Sequence, residues 1–568
     1  MQAHFNLKNS LLKILLILLF VSFCTAKTET DIIVHIIPHT HDDAGWLWTL
    51  EQYYSGTGGA RVSVKNILDS FVDSLYHNEE RTFTYVEMAF FIKWYKNQSE
   101  IVKNKVKALI SQKRFEFING GYVMHDEAAS YYQHSIDQMR LGLLFLKQEF
   151  DYVPEVAWFI DPFGHSASNA YVLAKMGFKK IVLVRIDYKE KEARKAQKSL
   201  EFYWVPFGQL DSNTRIFTHI SHDHYNPPAG LEDFISDAEL TLSEENLRIR
   251  AAKLLESIKE INGKYRSKNH LLMYGDDFSH NKADANFLNI EKLMKYINTK
   301  DMGMKLVYST PSKYFEKVFE QVNDWPLFEN QDFFPYADGE YAYWTGYFTS
   351  RPYLKGIIRD AGNYLVTVSK ELFEVIATTK KGKNYENLNE IINANIDKLF
   401  NLREYLAICQ HHDAVSGTAR ELVSEDYIDM LNRSLNDSKA EFHKLMQAFL
   451  QVENVNLCID PVVDFKCEED IYTFNGEKKV SLKVTKGKGT ESSSAGVSVL
   501  KNFFFNKNYN IAVKSDLNGE NDESEIFCVD EEKDKAAFCQ VYFNNQNNFV
   551  ITKSTIIINF FFNFNFKY

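Results

Sequence analysis

The chain has 568 residues and a mass of 66.1 kDa, too long for one ordinary domain of about 100–200 residues. Hydrophobic residues make up 45% and charged residues 25%, which excludes a wholly disordered or fibrous chain. A formal net charge of −11 and a pI near 5.9 argue against a nucleic-acid partner held by a basic surface.

At the N-terminus, Lys8 and Lys13 precede an apolar run over residues 14–23 (ILLILLFVSF), and Cys24-Thr25-Ala26 closes it with small residues. This is the pattern of a secretory signal, with cleavage expected after Ala26. The run is too short to span a bilayer and no other stretch is longer and as apolar, so no transmembrane anchor is expected. Beyond the signal stand Cys409, Cys458, Cys467, Cys528 and Cys539, an odd number that leaves one thiol without a partner. The expected local pairings are Cys458 with Cys467 and Cys528 with Cys539. Asn97, Asn432 and Asn436 sit in N-x-[ST] triplets, which in a secreted chain mark glycan sites.

Short apolar runs then alternate with longer helical ones up to about residue 330. Runs at 32–37 (IIVHII), 82–86 (TFTYV), 156–160 (VAWFI), 180–184 (KIVLV) and 271–274 (LLMY) predict strands; segments at 99–111, 131–150 and 243–261 predict helices. That alternation implies βαβ units. Helical runs at 356–378, 386–410 and 420–451 predict a bundle. After residue 455 Gly, Ser, Lys and Asn rise, and strand-like runs return at 480–484 and 549–551. The expected fold class is α/β, a mostly parallel sheet with helices, followed by a three-helix bundle and the start of a β-rich domain. The expected divisions are 1–26 (signal), 27–340 (α/β), 341–452 (helical) and 453–568 (partial β-rich). The terminal IIINFFFNFNFKY is too apolar to be a free soluble end.

Three polar features directly follow an apolar strand, where open α/β sheets bind ligands. The first is His39-Thr40-His41-Asp42-Asp43-Ala44-Gly45-Trp46. In extended chain, residues i and i+2 share a side, so His41 can face one ion with Asp43 or with His39. The second is Asp161-Pro162-Phe163-Gly164, where Pro162 forces the strand to end. The third is Gly275-Asp276-Asp277. A fourth, Gln410-His411-His412-Asp413, closes a helical run beside Leu406 and Ile408, where unpartnered polar groups are costly to bury. Each has a structural alternative: a helix-capping Asp, a solvated turn, a His favoured by a helix C-terminus. Together they supply imidazole and carboxylate for one metal, plus spare carboxylates for acid/base work. Imidazole with carboxylate suits zinc, and the absence of Cys argues against a closed structural site.

HTHDDAGW, AWFIDPFGHSASNA and QHHDAVSGTAR resemble the signature segments of the glycoside hydrolase family of zinc-dependent α-mannosidases. YVEMAFFIKWY, EFINGGYVMHDEA, FFPYADGEYAYWTGYFTSRPYLK and MYGDDF are similar to its lysosomal acid branch, and the resemblance runs from about residue 32 to about 467. It implies one zinc ion per chain held by His41, Asp43, Asp161 and His412. It also implies Asp161 as nucleophile, Asp277 as general acid/base, Trp46 and Phe163 as rings around the sugar, Asp413 as a carboxylate on its hydroxyls, and Arg185 beside the nucleophile. The implied activity is that of a retaining exo-α-mannosidase on mannose-containing N-linked oligosaccharides, in a lysosome or outside the cell. Trp48, Ser166-Ala167-Ser168-Asn169 and Asp276 depart from the lysosomal pattern, and none removes an implied ligand. The resemblance also implies a longer β-rich C-terminal part than this sequence carries. Two alternatives follow: an inactive truncated mannosidase, or a lectin-like secreted protein that holds mannose without cleaving it. Intact Asp161 and Asp277 disfavour the second, because binding alone needs no acid.

Overall fold

A computed structural model describes residues 32–450, apart from 212, 229, 237–239, 241, 301 and 380–387, and beyond them the backbone of six strands. The expected signal segment, the terminal aromatic tail, Cys458 and Cys467, and the side chains of Cys528 and Cys539 lie outside the described residues. Cys409 is buried with a free thiol.

Ten strands are described before residue 341: β1 (Ile32–Pro38), β2 (Phe83–Tyr85), β3 (Phe115–Phe117), β4 (Val156–Phe159), β5 (Lys180–Leu183), β6 (Glu201–Val205), β7 (Ile216–Ile220), β8 (Asn269–Tyr274), β9 (Met304–Tyr308) and β10 (Leu327–Glu329). β1 is flanked by β8 and β9, both parallel to it. Its last five residues are buried, as expected of a parallel strand covered on both faces. A second sheet runs β10-β6-β7-β5-β4. β4, β5 and β7 are parallel, while β6 runs antiparallel to β7, a reversal that a short connection permits. β2 and β3 form a parallel pair. A bridge between His39 and Thr84 ties β1 to β2, and the Asn119 amide donates to the Val156 carbonyl, tying β3 to β4. The carboxyl ends of β1, β2, β4, β5 and β8 are thereby assembled into one region.

Helices between the strands follow local signals. Ser99 caps Glu100–Ser111 by accepting the Val102 amide, Ser243 caps Glu244–Asn262 through Asn246, and each helix buries an apolar stripe. Losing such a cap costs about 1 kcal/mol. A large core cluster is built on β1 and β4–β8 and includes Trp158, Phe202, Trp204 and Phe217. The mixed α/β architecture with mainly parallel strands agrees with the expectation. β3, β6, β7, β9 and β10 are strands that the sequence reading does not single out, being short and interrupted by polar residues.

Helices Pro352–Thr379, Leu388–Ile408 and Glu421–Leu450 follow, where three helical runs are predicted. Among the described residues no helix is long and apolar enough to cross a membrane. The chain divides into two units, Met1–Gly362 with Lys398–Asp437, and Asn363–Asp397 with Ser438–Tyr568. The second unit contains two antiparallel sheets, β11 (Ile471–Phe474) with β12 (Lys478–Ser481), and β13 (Ile511–Val513), β14 (Glu523–Asp530), β15 (Lys535–Phe543) and β16 (Phe549–Lys553) in sequence order.

Candidate active site and metal centre

The polar residues of interest leave the carboxyl ends of parallel strands of the first unit. His41 and Asp43 follow β1, Asp161 follows β4, Arg185 follows β5 and Asp277 follows β8. The β1 and β4 exits turn on Gly45 (φ 110°) and Gly164 (φ 108°). A side chain at Gly45 would collide with Tyr427, and one at Gly164 with Phe334. Asp161 does not cap the next helix, Ala167–Lys175: Ser166 does. His411 and His412 arrive on the loop after Leu388–Ile408, where the His412 amide donates to the Met124 carbonyl.

His41, Asp43, Asp161 and His412 each offer one ligand atom, and these atoms all lie within 4.8 Å of one another. His41 Nε2 is 3.0 Å from Asp43 Oδ1 and 3.5 Å from Asp161 Oδ2. His412 Nε2 is 3.3 Å from Asp43 Oδ1 and 3.2 Å from Asp161 Oδ2. Ligands about 2.0–2.2 Å from a tetrahedral zinc stand about 3.4 Å apart, so the spacing fits such an ion. All four side chains are buried, yet His41 Nε2 and Asp43 Oδ1 have no hydrogen-bond partner. Orphaned buried polar atoms cost about 1–3 kcal/mol each, and a shared cation would satisfy them. His412 Nδ1 lies 2.8 Å from the Met124 carbonyl, which aims Nε2 inward. A second, overlapping group adds His411, whose Nε2 is 3.6 Å from Asp43 Oδ1 and 3.7 Å from Asp413 Oδ2.

Charge follows the geometry. Burial opposes ionisation of Asp161, but Arg185, His41 and His412 outweigh it and hold the carboxyl well below its usual range. Asp43 is likewise lowered, with burial overcome chiefly by His41. Burial would lower both imidazoles; Asp43 and Asp161 instead raise His41 well above its usual value and, with Asp161 acting first, His412 to about 10. The cluster therefore attracts positive charge, which protons or a divalent cation can supply. A bound cation would leave the imidazoles neutral, as ligation requires.

Asp277 behaves oppositely. Burial, reinforced by Asp43 and Asp161, pushes it up to about 7, although His41 and a hydrogen bond from Tyr225 act against the rise. The Tyr225 hydroxyl donates to Asp277 Oδ1 at 2.8 Å, and its ring lies 5.3 Å from that of His41. The site thus pairs a strongly ionised carboxylate with one biased toward its protonated form, the division of labour that acid/base chemistry uses.

Arg185 Nε donates to Asp161 Oδ1 at 2.6 Å, and its guanidinium lies 5.7 Å from Phe163, 5.9 Å from Tyr336 and 5.1 Å from Trp344. Phe163 meets His412 edge-on at 6.1 Å. Asp413 is buried and accepts from the Thr418 hydroxyl. Trp46 is half-buried, and its backbone bonds to Trp48 and Arg420. His39, an alternative partner for His41, instead turns Nε2 to the Tyr225 carbonyl at 3.0 Å. The sequence reading assigns no role to Tyr225, Tyr336, Trp344, Glu87 or His411. A rule extending strand-end placement to every predicted strand would have found Glu87, two residues past β2.

A family model described as "Glycosyl hydrolases family 38 N-terminal domain" matches residues 31–339, more than half of the chain, and "Alpha mannosidase middle domain" matches 342–449. The lysosomal alpha-mannosidase of Dictyostelium discoideum is 39% identical over 414 residues, 71% of this chain and 40% of that protein. The lysosomal alpha-mannosidase of Mus musculus is 38% identical over 450 residues, 76% of this chain and 43% of that protein. The alpha-mannosidase of Canavalia ensiformis is 36% identical over 443 residues, 76% and 43% respectively. The chain thus spans less than half the length of these curated relatives. A solved alpha-mannosidase from Enterococcus faecalis V583 superposes with a TM-score of 0.54 at 15% identity, covering 74% of this chain and 43% of that one, a likeness of fold.

Proposed function

This chain belongs to glycosyl hydrolase family 38, and from that premise we propose that it is a zinc-dependent, retaining exo-α-mannosidase acting on terminal α-linked mannose of N-linked oligosaccharides. The observation that carries the reading is the convergence of His41, Asp43, Asp161 and His412 beside a separate, charge-averse Asp277. His41, Asp43, Asp161 and His412 would hold one zinc ion, which would supply a Lewis-acid template for sugar hydroxyls. Asp161, kept ionised and oriented by Arg185, would attack the anomeric carbon and form the glycosyl-enzyme. Asp277 would donate its proton to the leaving oxygen, then take one from the water that hydrolyses the intermediate. Phe163 and Trp46 would bound the sugar ring, and Asp413 would accept from its hydroxyls. In this reading the α/β division 27–340 carries the strand-end chemistry, while the helical division 341–452 delivers His412 and Asp413.

Relatives with lysosomal names and the predicted signal segment support the secretory pathway, with an acidic lumen as the working compartment. Asn97, at the end of helix Met88–Lys96, and Asn436, within Glu421–Leu450, are exposed candidates for a glycan, and Asn432 is half-buried. The test is release of an aryl α-mannoside by the expressed chain at acid pH, with and without a chelator. Activity that a chelator removes and added zinc restores is the expected result. A folded, zinc-loaded chain with no turnover would favour the inactive truncated form instead.

A further inference from the structure

The two imidazoles of the cluster are anchored differently. His412 Nδ1 has the Met124 carbonyl at 2.8 Å. His41 Nδ1 has no hydrogen-bond partner, and the nearest acidic atom is Glu87 Oε1 at 3.8 Å. The Glu87 side chain is 1% exposed, and neither of its oxygens has a hydrogen-bond partner. Glu87 is also the residue before helix Met88–Lys96, yet its side chain makes no capping bond there. Neighbouring Asp42 does not substitute for it, because its two oxygens accept from Thr40 and Tyr85. A buried carboxylate and a buried ring nitrogen, each lacking a partner, therefore face each other behind the proposed metal centre. A gap of 3.8 Å is too short for a bridging water, and a closure of about 0.8 Å as His41 Nε2 engages an ion would bring the pair to hydrogen-bond distance.

We infer that Glu87 is a positioning residue for the metal centre: it accepts the His41 Nδ1 proton and so fixes the tautomer that turns Nε2 toward the ion. The inference rests on the proposed metal centre and extends it to a residue that touches neither metal nor substrate. Metal-bound histidines commonly donate their second N–H to a carboxylate or carbonyl, and losing that acceptor weakens metal binding by about 10–100-fold. Proton withdrawal toward a carboxylate makes the imidazole a better donor than a carbonyl acceptor does.

The experiment measures zinc affinity of the full chain by competition with a chelating dye, and the unfolding temperature of the metal-free protein. Glu87→Ala should weaken zinc binding by about 10–100-fold. Its metal-free unfolding temperature should be no lower than that of the unchanged protein, since an unpartnered carboxylate has been removed. Glu87→Gln keeps the shape and one acceptor oxygen, so it should recover part of the loss; it also carries the test if the alanine variant does not fold. A merely structural role predicts lower metal-free stability with unchanged zinc affinity, and that result overturns the inference. So does unchanged affinity in both variants. Absence of zinc binding by the unsubstituted chain would overturn the metal centre itself, a distinct outcome.

Discussion

His35 and His41 leave the same stretch of chain and illustrate two kinds of buried polarity. His35 sits within β1, with Nδ1 2.9 Å from the Ser309 hydroxyl and Nε2 3.0 Å from Asn269 Oδ1, neutral groups on or beside the flanking strands. His41 lies just past the strand end, with neither nitrogen hydrogen-bonded and charged groups around it. Burial lowers the His35 pKa, whereas carboxylates raise that of His41 against burial. Burial alone thus does not mark function. In the mid-sheet layer His35 has both ring nitrogens paired with neutral groups; in the strand-end layer the cluster gathers charge whose hydrogen bonding is incomplete, the condition of a site that awaits a ligand.

Substitutions in the two layers should therefore fail differently. The largest effect is expected for Asp161→Ala, which removes the proposed nucleophile and one proposed metal ligand together. Turnover should fall by more than about 10⁴-fold on every α-mannoside, with reduced zinc content by metal analysis. Full zinc occupancy in that variant would separate the two roles. Asp277→Ala should keep zinc. Its loss should be about 10²–10⁴-fold on natural oligosaccharides and smaller on activated aryl mannosides, whose leaving groups need little protonation. Azide should restore turnover and yield a product of retained configuration; an inverted product would overturn the role assignment. Because Asp277 is pushed up to about 7, its proton is present below that pH and lost above it. The rate of glycosidic cleavage in the unsubstituted chain should fall as pH rises through about 7, and Asp277→Ala should abolish that limb.

The sequence makes the strand-end layer legible where an apolar run is abruptly punctuated. IIVHII before His39, VAWFI before Asp161 and LLMY before Gly275 lie on β1, β4 and β8. Glu87 stands in the same relation to TFTYV, but a single Glu before a helical run reads first as a capping or solvated residue. Tyr225, Tyr336 and Trp344 are hidden for another reason. In a chain with 31 Tyr and 44 Phe, an aromatic residue has no distinguishing local pattern. Their roles depend on distant partners, such as Tyr225 meeting Asp277 across 52 positions. β6 is obscured because its first residue, Glu201, is buried; its Oε1 meets His219 Nδ1 and accepts from the Tyr314 hydroxyl, partners that sequence spacing does not reveal.

The mid-sheet layer gives the smallest effects and the sharpest control. His35→Leu removes both of its hydrogen bonds and strands Asn269 and Ser309, a loss of about 1–3 kcal/mol in folding stability. Zinc content and turnover per folded molecule should not change. The stability difference should itself depend on pH. Burial keeps His35 neutral in the folded chain, with its pKa below the value of about 6.5 expected when unfolded. The unfolded chain then binds the extra proton first, so the contribution of His35 is complete above about pH 6.5 and is lost progressively below it. The slope is at most about 1.4 kcal/mol per pH unit for one such group. Leucine cannot take up that proton. The gap between His35→Leu and the unsubstituted chain, measured by urea unfolding, should therefore be widest near neutral pH and narrow toward about pH 5. A gap that stays constant or widens on acidification would mean that His35 is not held neutral, and the contrast with His41 would lose its electrostatic half.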